Sequence, residues 1–125
     1  MVHSKREVVL VEDDTGMRRA VTRMLTTAGY EVRSFASAEA LLDELAGAAL
    51  WDASSCMVCD VRLPGVSGFE LHRRVAERGP LPPWIFITAF DNPAVRDQAQ
   101  RAMATYLAKP FEGRALLALI ARAVE

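Results

Sequence analysis

Four short apolar runs, each ending at a residue able to meet a cation or a phosphoryl group, constrain this chain more than anything else in it. Val8-Val9-Leu10-Val11 leads to Asp13 and Asp14, and Met57-Val58-Cys59 leads to Asp60. Trp84-Ile85-Phe86-Ile87 leads to Thr88, and Tyr106-Leu107-Ala108 leads to Lys109. Runs of this length, bounded by polar residues, suit strands buried on both faces of a parallel sheet. Ligands of such sheets bind at the carboxyl ends of the strands. The pattern therefore sets carboxylates, a hydroxyl and an ammonium along one edge of one sheet, a site for a divalent cation and a phosphoryl group.

The segments between the runs have helical spacing. Met17, Ala20, Val21, Met24, Leu25 and Ala28 recur on one face, with Asp14 or Thr15 as the cap and Gly29 as the stop. Residues 30–35 read as a second strand, and Ser37 caps a helix bearing Ala40, Leu41, Leu42 and Leu45. Residues 47–54 read as a loop. A turn over Pro64-Gly65-Val66-Ser67-Gly68 precedes a helix with Phe69, Leu71, Val75 and Ala76. Asp91 or Asn92 caps the next helix, with Pro93 in its first turn, and Leu116, Leu117, Ile120 and Val124 mark the last. Strands and helices alternate throughout, so the expected fold is α/β, flavodoxin-like: a five-stranded parallel sheet flanked by five helices. An order 2-1-3-4-5 would bring Asp13, Asp14 and Asp60 together at the switch point.

Composition bounds the rest. The 125 residues fit a single domain over 1–125, and a net charge of −1 gives no field to attract nucleic acid or an anionic membrane. No apolar stretch reaches the ~20 residues of a membrane span, and the polar start shows no signal peptide. The expected location is the cytoplasm. Cys56 and Cys59 form C-x-x-C within a strand, where an odd offset sends them to opposite faces. They are expected to be buried thiols, with no redox or zinc role. His3 and His72 have no companion motif.

The chemistry of the site can be stated further. Clustered carboxylates repel unless a cation joins them, and Mg²⁺ takes oxygen ligands while keeping water and phosphate in its shell. A carboxylate can also act as a nucleophile toward a phosphoryl donor. At this point the chain resembles the receiver domain of two-component response regulators. The resemblance rests on Val11-Glu12-Asp13-Asp14 with Gly29-Tyr30, and on Asp60-Val61-Arg62-Leu63-Pro64-Gly65 with Gly68. It continues through Ile85-Phe86-Ile87-Thr88-Ala89 to Lys109-Pro110-Phe111. The stretch from Tyr30 to Glu39 is similar to the nitrogen-fixation-type branch, many members of which carry a helix-turn-helix output domain.

The resemblance implies that Asp60 is the phospho-acceptor, loaded from a phosphohistidine on a histidine kinase or phosphotransfer protein. It implies direct Mg²⁺ ligation by Asp14, Asp60 and the Arg62 backbone carbonyl, with Asp13 acting through water. Lys109 would pair with the phosphoryl group, Thr88 would swing to bond it, and Tyr106 would follow by turning inward. Ala89 supplies the small residue beside the incoming group. The readout would be a changed face of the fourth helix, fifth strand and fifth helix, with a homodimer contact. Arg18, Arg19 and Arg23 are either a solvated face or part of the kinase contact. Two rival readings share part of the pattern. A haloacid-dehalogenase-type phosphohydrolase wants a second Asp where Arg62 stands, and a phosphorylation-independent interaction module would not need the complete set.

One departure stands out. The family places Gly after the fourth helix, but Arg101-Ala102-Met103-Ala104-Thr105 has none, and the interval from Thr88 to Lys109 is a residue short. An altered end to that helix and an unusual dimer mode are therefore expected.

Overall fold

The computed structural model describes residues 6–45 and 55–124. The expected loop at 47–54 and His3 lie outside the described residues. The elements run β1 (Glu7–Val11), α1 (Thr15–Thr27), β2 (Glu31–Phe35), α2 (Ala38–Leu45) and β3 (Ser55–Asp60). They continue with α3 (Gly68–Ala76), β4 (Trp84–Thr88), α4 (Pro93–Arg101), β5 (Thr105–Ala108) and α5 (Gly113–Ala123). All strand pairs are parallel, in the order β2-β1-β3-β4-β5. This is the expected fold and order.

Strand alternation divides the core into two layers. Val8, Leu10, Cys56, Val58, Ile85 and Ile87 pack with Val21 and Leu25 of α1 and Leu116 and Ile120 of α5. Their neighbours Val9, Val11, Met57, Cys59, Trp84 and Phe86 pack with Leu41, Leu71, Val75 and Ala99 of α2, α3 and α4. Both cysteines are free and buried, one in each layer, as the odd offset required. Phe86 is fully buried, its ring 4.6 Å from Phe69 and 5.8 Å from Trp84, and truncating such a ring costs about 3–5 kcal/mol. No helix among the described residues is long and apolar enough to cross a membrane.

The caps explain where the helices begin. Asp14 accepts from Met17 N at 2.7 Å, Ser37 from Ala40 N at 3.0 Å and Asn92 from Val95 N at 2.9 Å. Each satisfies an amide that has no partner inside its helix. α1 ends on Gly29 at φ 100°, with Tyr30 N bonded to the Leu25 carbonyl at 3.1 Å.

The expected altered end of α4 is absent. Met103 takes the left-handed conformation at φ 57°, where Gly was expected to be required. Met103 N bonds the Gln100 carbonyl at 2.9 Å, and Ala104 N bonds the Ala99 carbonyl at 3.0 Å. That pair of bonds is the Schellman closure also seen at Gly29, so the reason for expecting an unusual dimer mode disappears. An L-residue with a Cβ pays about 1–2 kcal/mol for this conformation. Met103 is 93% exposed and recovers none of that by packing. Met103→Gly should therefore raise stability by about 0.5–1 kcal/mol, read as a higher urea midpoint at unchanged slope. A lower midpoint would mean that the Met side chain supports the turn.

Candidate functional site at the carboxyl edge of the sheet

Because β1 and β3 are central neighbours, their carboxyl ends lie side by side, and the register pairs Val11 with Cys59. Glu12 and Asp13 follow the end of β1, and Asp60 is the last residue of β3, opposite Ile87 of β4. One oxygen from each of these three carboxylates lies within 4.8 Å of the others. β4 and β5 end at the same edge, where Lys109 N bonds the Thr88 carbonyl at 2.7 Å and brings the lysine in. Lys109 Nζ reaches Glu12 Oε1 at 2.6 Å and Asp60 Oδ2 at 2.8 Å. The other Asp60 oxygen, Oδ1, accepts from Arg62 N at 3.0 Å.

Burial makes these charges matter. Glu12 is fully buried and Asp60 is 6% exposed. Burial pushes the Glu12 carboxyl up, and the Asp60 charge adds to that, against the lowering effect of the Lys109 bond. Burial works against the Lys109 ammonium as well, but its bonds to Asp60 and Glu12 prevail and hold its pKa above the ordinary value. Counted at full formal charge, three carboxylates against one ammonium leave two surplus negative charges. A divalent cation balances that surplus, and an all-oxygen donor set suits Mg²⁺.

The site opens into a cavity of about 690 Å³ lined by Asp13, Asp60, Arg62, Ala89, Phe90 and Lys109 among others. Arg62 and Phe90 meet across its mouth, the guanidinium carbon 3.9 Å from the ring centroid. Thr88 is fully buried, and its Oγ1 accepts from Phe90 N at 2.9 Å. Tyr106 is half-buried, and its hydroxyl donates to Asp91 Oδ1 at 2.9 Å. The hydroxyl is thus tied to the β4–α4 loop, while the residue packs against the core layer beneath α2, α3 and α4.

Of the carboxylates expected at the metal site, the structure brings Asp13 and Asp60 together with Glu12, while the exposed Asp14 carboxylate caps α1. Asp14 contributes only its backbone N–H, donated to Glu12 Oε2 at 3.1 Å. Two further supports went unrecognised. Arg18, expected on an exposed basic stripe, turns back to donate to the carbonyls of Glu12 at 2.8 Å and Asp13 at 3.3 Å. A Cβ built on Gly68 would stand 2.2 Å from the Asp60 carbonyl oxygen, so α3 approaches the strand end closely there. Gly68→Ala should consequently cost about 1–3 kcal/mol and weaken Mg²⁺ binding by displacing Asp60. Urea melts and a Mg²⁺ titration test this together, and a variant matching the wild type in both would show the backbone yielding without effect.

Residues 8–121 match the family model of the response regulator receiver domain. The chain belongs to this family. The receiver is 37% identical to nodulation protein W of Bradyrhizobium diazoefficiens over 123 residues, 98% of this chain and 52% of that protein. It is 34% identical to the transcriptional regulatory protein FixJ of the same organism, over 97% of this chain and 58% of that protein. The receiver thus spans little more than half the length of these relatives. Among solved structures, FixJ-N superposes with a TM-score of 0.84 at 30% identity, covering 98% of this receiver and 95% of that chain. The BeF3-activated DrrB receiver domain gives 0.83 at 28% identity, covering 97% and 98%. These relatives agree with the nitrogen-fixation-type resemblance.

Proposed function

We propose that this receiver is a Mg²⁺-dependent switch of a two-component system that accepts a phosphoryl group on Asp60. The observation that carries the reading is the position of the Asp60 carboxylate, held between the Lys109 ammonium and the Arg62 amide at the floor of an open cavity. In the transfer, an Asp60 oxygen attacks the phosphorus of a phosphohistidine, and the P–N bond breaks with its electron pair leaving on the imidazole. The donor is a histidine kinase or a phosphotransfer protein. Phosphoryl transfer asks chiefly for positioning and charge neutralisation. Lys109 supplies the fixed positive charge, and Ala89 leaves room beside the acceptor. Glu12, Asp13, Asp60 and the Arg62 carbonyl would hold Mg²⁺, which supplies further neutralisation of the phosphoryl oxygens.

The phosphorylated state would draw Thr88 away from Phe90 N toward the new oxygens, and Tyr106 would move inward after it. Shifting a two-state equilibrium from 1:99 to 99:1 takes about 5.5 kcal/mol. Two or three charge-assisted hydrogen bonds at about 1.5–3 kcal/mol each reach that figure. The changed surface would be α4, β5 and α5, read out by homodimer contact or by an output domain. Direct contact of this domain with nucleic acid or a membrane forms no part of the reading.

The test is the intact mass after incubation with acetyl phosphate, with and without Mg²⁺. A gain of one phosphoryl group that requires Mg²⁺ supports the switch. No gain in folded protein would overturn it in favour of a phosphorylation-independent interaction module.

A further inference from the structure

Asp91, in the loop between β4 and α4, gathers three hydrogen bonds from two other elements. Arg96 of α4 donates from Nε to Oδ1 and from Nη2 to Oδ2, both at 2.7 Å. Tyr106 of β5 shares Oδ1 at 2.9 Å. The adjacent residue, Phe90, uses its N–H to hold the Thr88 hydroxyl. One short loop thereby restrains both side chains whose movement the proposed switch requires.

We propose that the Asp91–Arg96 pair is a latch that holds the Tyr106 hydroxyl at the β4–α4 loop and so opposes the phosphorylated arrangement at Asp60. The inference rests on the switch reading above and names the residues that set its resting bias. Tyr106 cannot turn inward without giving up Asp91, and the two-pronged guanidinium fixes that carboxylate so that it cannot follow. An exposed ion pair alone contributes little, and the Asp91 and Arg96 side chains are 31% and 62% exposed. Here the pair acts by orienting an acceptor for a third group, which is where fork geometry counts. The titration of the ring is consistent with the contact. Burial, the Asp91 hydrogen bond and the Asp91 charge all raise the Tyr106 phenol, against a smaller effect of Arg96. Arg96 in turn lowers the Asp91 carboxyl, with the Tyr106 bond adding to that.

Two measurements test the latch. The chain has two tyrosines, so in a Tyr30→Phe background the ultraviolet phenol titration reports Tyr106 alone. The second is the apparent affinity for beryllium fluoride in the presence of Mg²⁺, an equilibrium probe of the phosphorylated arrangement for which linkage is reciprocal. Asp91→Ala should lower the Tyr106 titration midpoint and tighten beryllium fluoride binding about fivefold. Arg96→Met should tighten beryllium fluoride binding by less than Asp91→Ala does, without lowering the Tyr106 midpoint, because Arg96 itself lowers the phenol. In a Tyr106→Phe background, Asp91→Ala should add no further tightening, because the latch acts through the hydroxyl.

An unchanged phenol titration in Asp91→Ala would overturn the latch, as would a shifted titration with unchanged affinity. If the wild type neither binds beryllium fluoride nor gains mass from acetyl phosphate, the switch reading itself fails and the latch falls with it. Mass gain in the wild type combined with an Asp91-insensitive affinity would remove the latch alone.

Discussion

Asp60→Asn should take up no phosphoryl group from acetyl phosphate and Mg²⁺ under conditions that load the wild type fully. The substitution keeps the volume, and the amide oxygen can still accept from Arg62 N. What it removes is the nucleophilic lone pair at full charge, together with one of the two surplus negative charges that favour the cation. Mg²⁺ affinity should therefore fall by more than about tenfold, since loss of an outer-shell partner alone costs about 10–100-fold. The fold should survive, because the amide fills the same volume and Lys109 keeps Glu12 as an ionic partner. Stoichiometric, stable uptake in the variant would show that another residue is the acceptor and sink the assignment.

The second large effect separates two neighbouring carboxylates. Glu12→Gln should weaken Mg²⁺ binding by more than about tenfold, whereas Asp14→Ala should leave it within about twofold. Stability should respond in the opposite sense. Asp14→Ala removes the cap accepting from Met17 N and should cost about 1 kcal/mol in a urea melt. Glu12→Gln deletes a carboxylate whose pKa burial already raises, so that its ionised form is held at a cost, although Lys109 then keeps only one ionic partner. Loss of Mg²⁺ binding in Asp14→Ala with retention in Glu12→Gln would restore the assignment that the acidic run first suggests.

That pair of residues also shows what can be read from a sequence of this kind. Strand ends were legible, because apolar runs such as Trp84–Thr88 are too short for helices and stop at polar residues. Alternation and the usual crossover hand limited the sheet to a few topologies, but the order 2-1-3-4-5 could not be read from spacing. The acidic run at 12–14 was harder, since three adjacent carboxylates compete for two different jobs one residue apart. A signal was available: Asp14 stands three residues before Met17, the spacing of a side-chain cap, which leaves Glu12 and Asp13 for the sheet edge. At Met103 no residue-type rule could have worked. A left-handed Met costs little enough for the Ala99 and Gln100 carbonyls to enforce it, so a missing Gly did not mean a missing turn. The contacts of Arg18 with Glu12 and Asp13 and of Asp91 with Tyr106 were not legible for another reason. The partners are backbone carbonyls and a residue fifteen positions away, and spacing says nothing about either.

The two cysteines give this domain an intrinsic clock for its own opening. Burial pushes the Cys56 thiol up to about 12, and burial with the Asp60 and Glu12 charges pushes Cys59 well above the ordinary value. Neither sulfur offers a thiolate to an alkylating reagent while the native packing holds. Modification must wait for an excursion that wets the interior, and mass spectrometry can assign each event to Cys56 or Cys59. Equal rates would mean that the helical coats on the two sides of the sheet come off in one cooperative step. Faster modification of Cys59 would mean that the side bearing α3 and α4 breathes independently, and saturating Mg²⁺ should then slow that sulfur more than its neighbour.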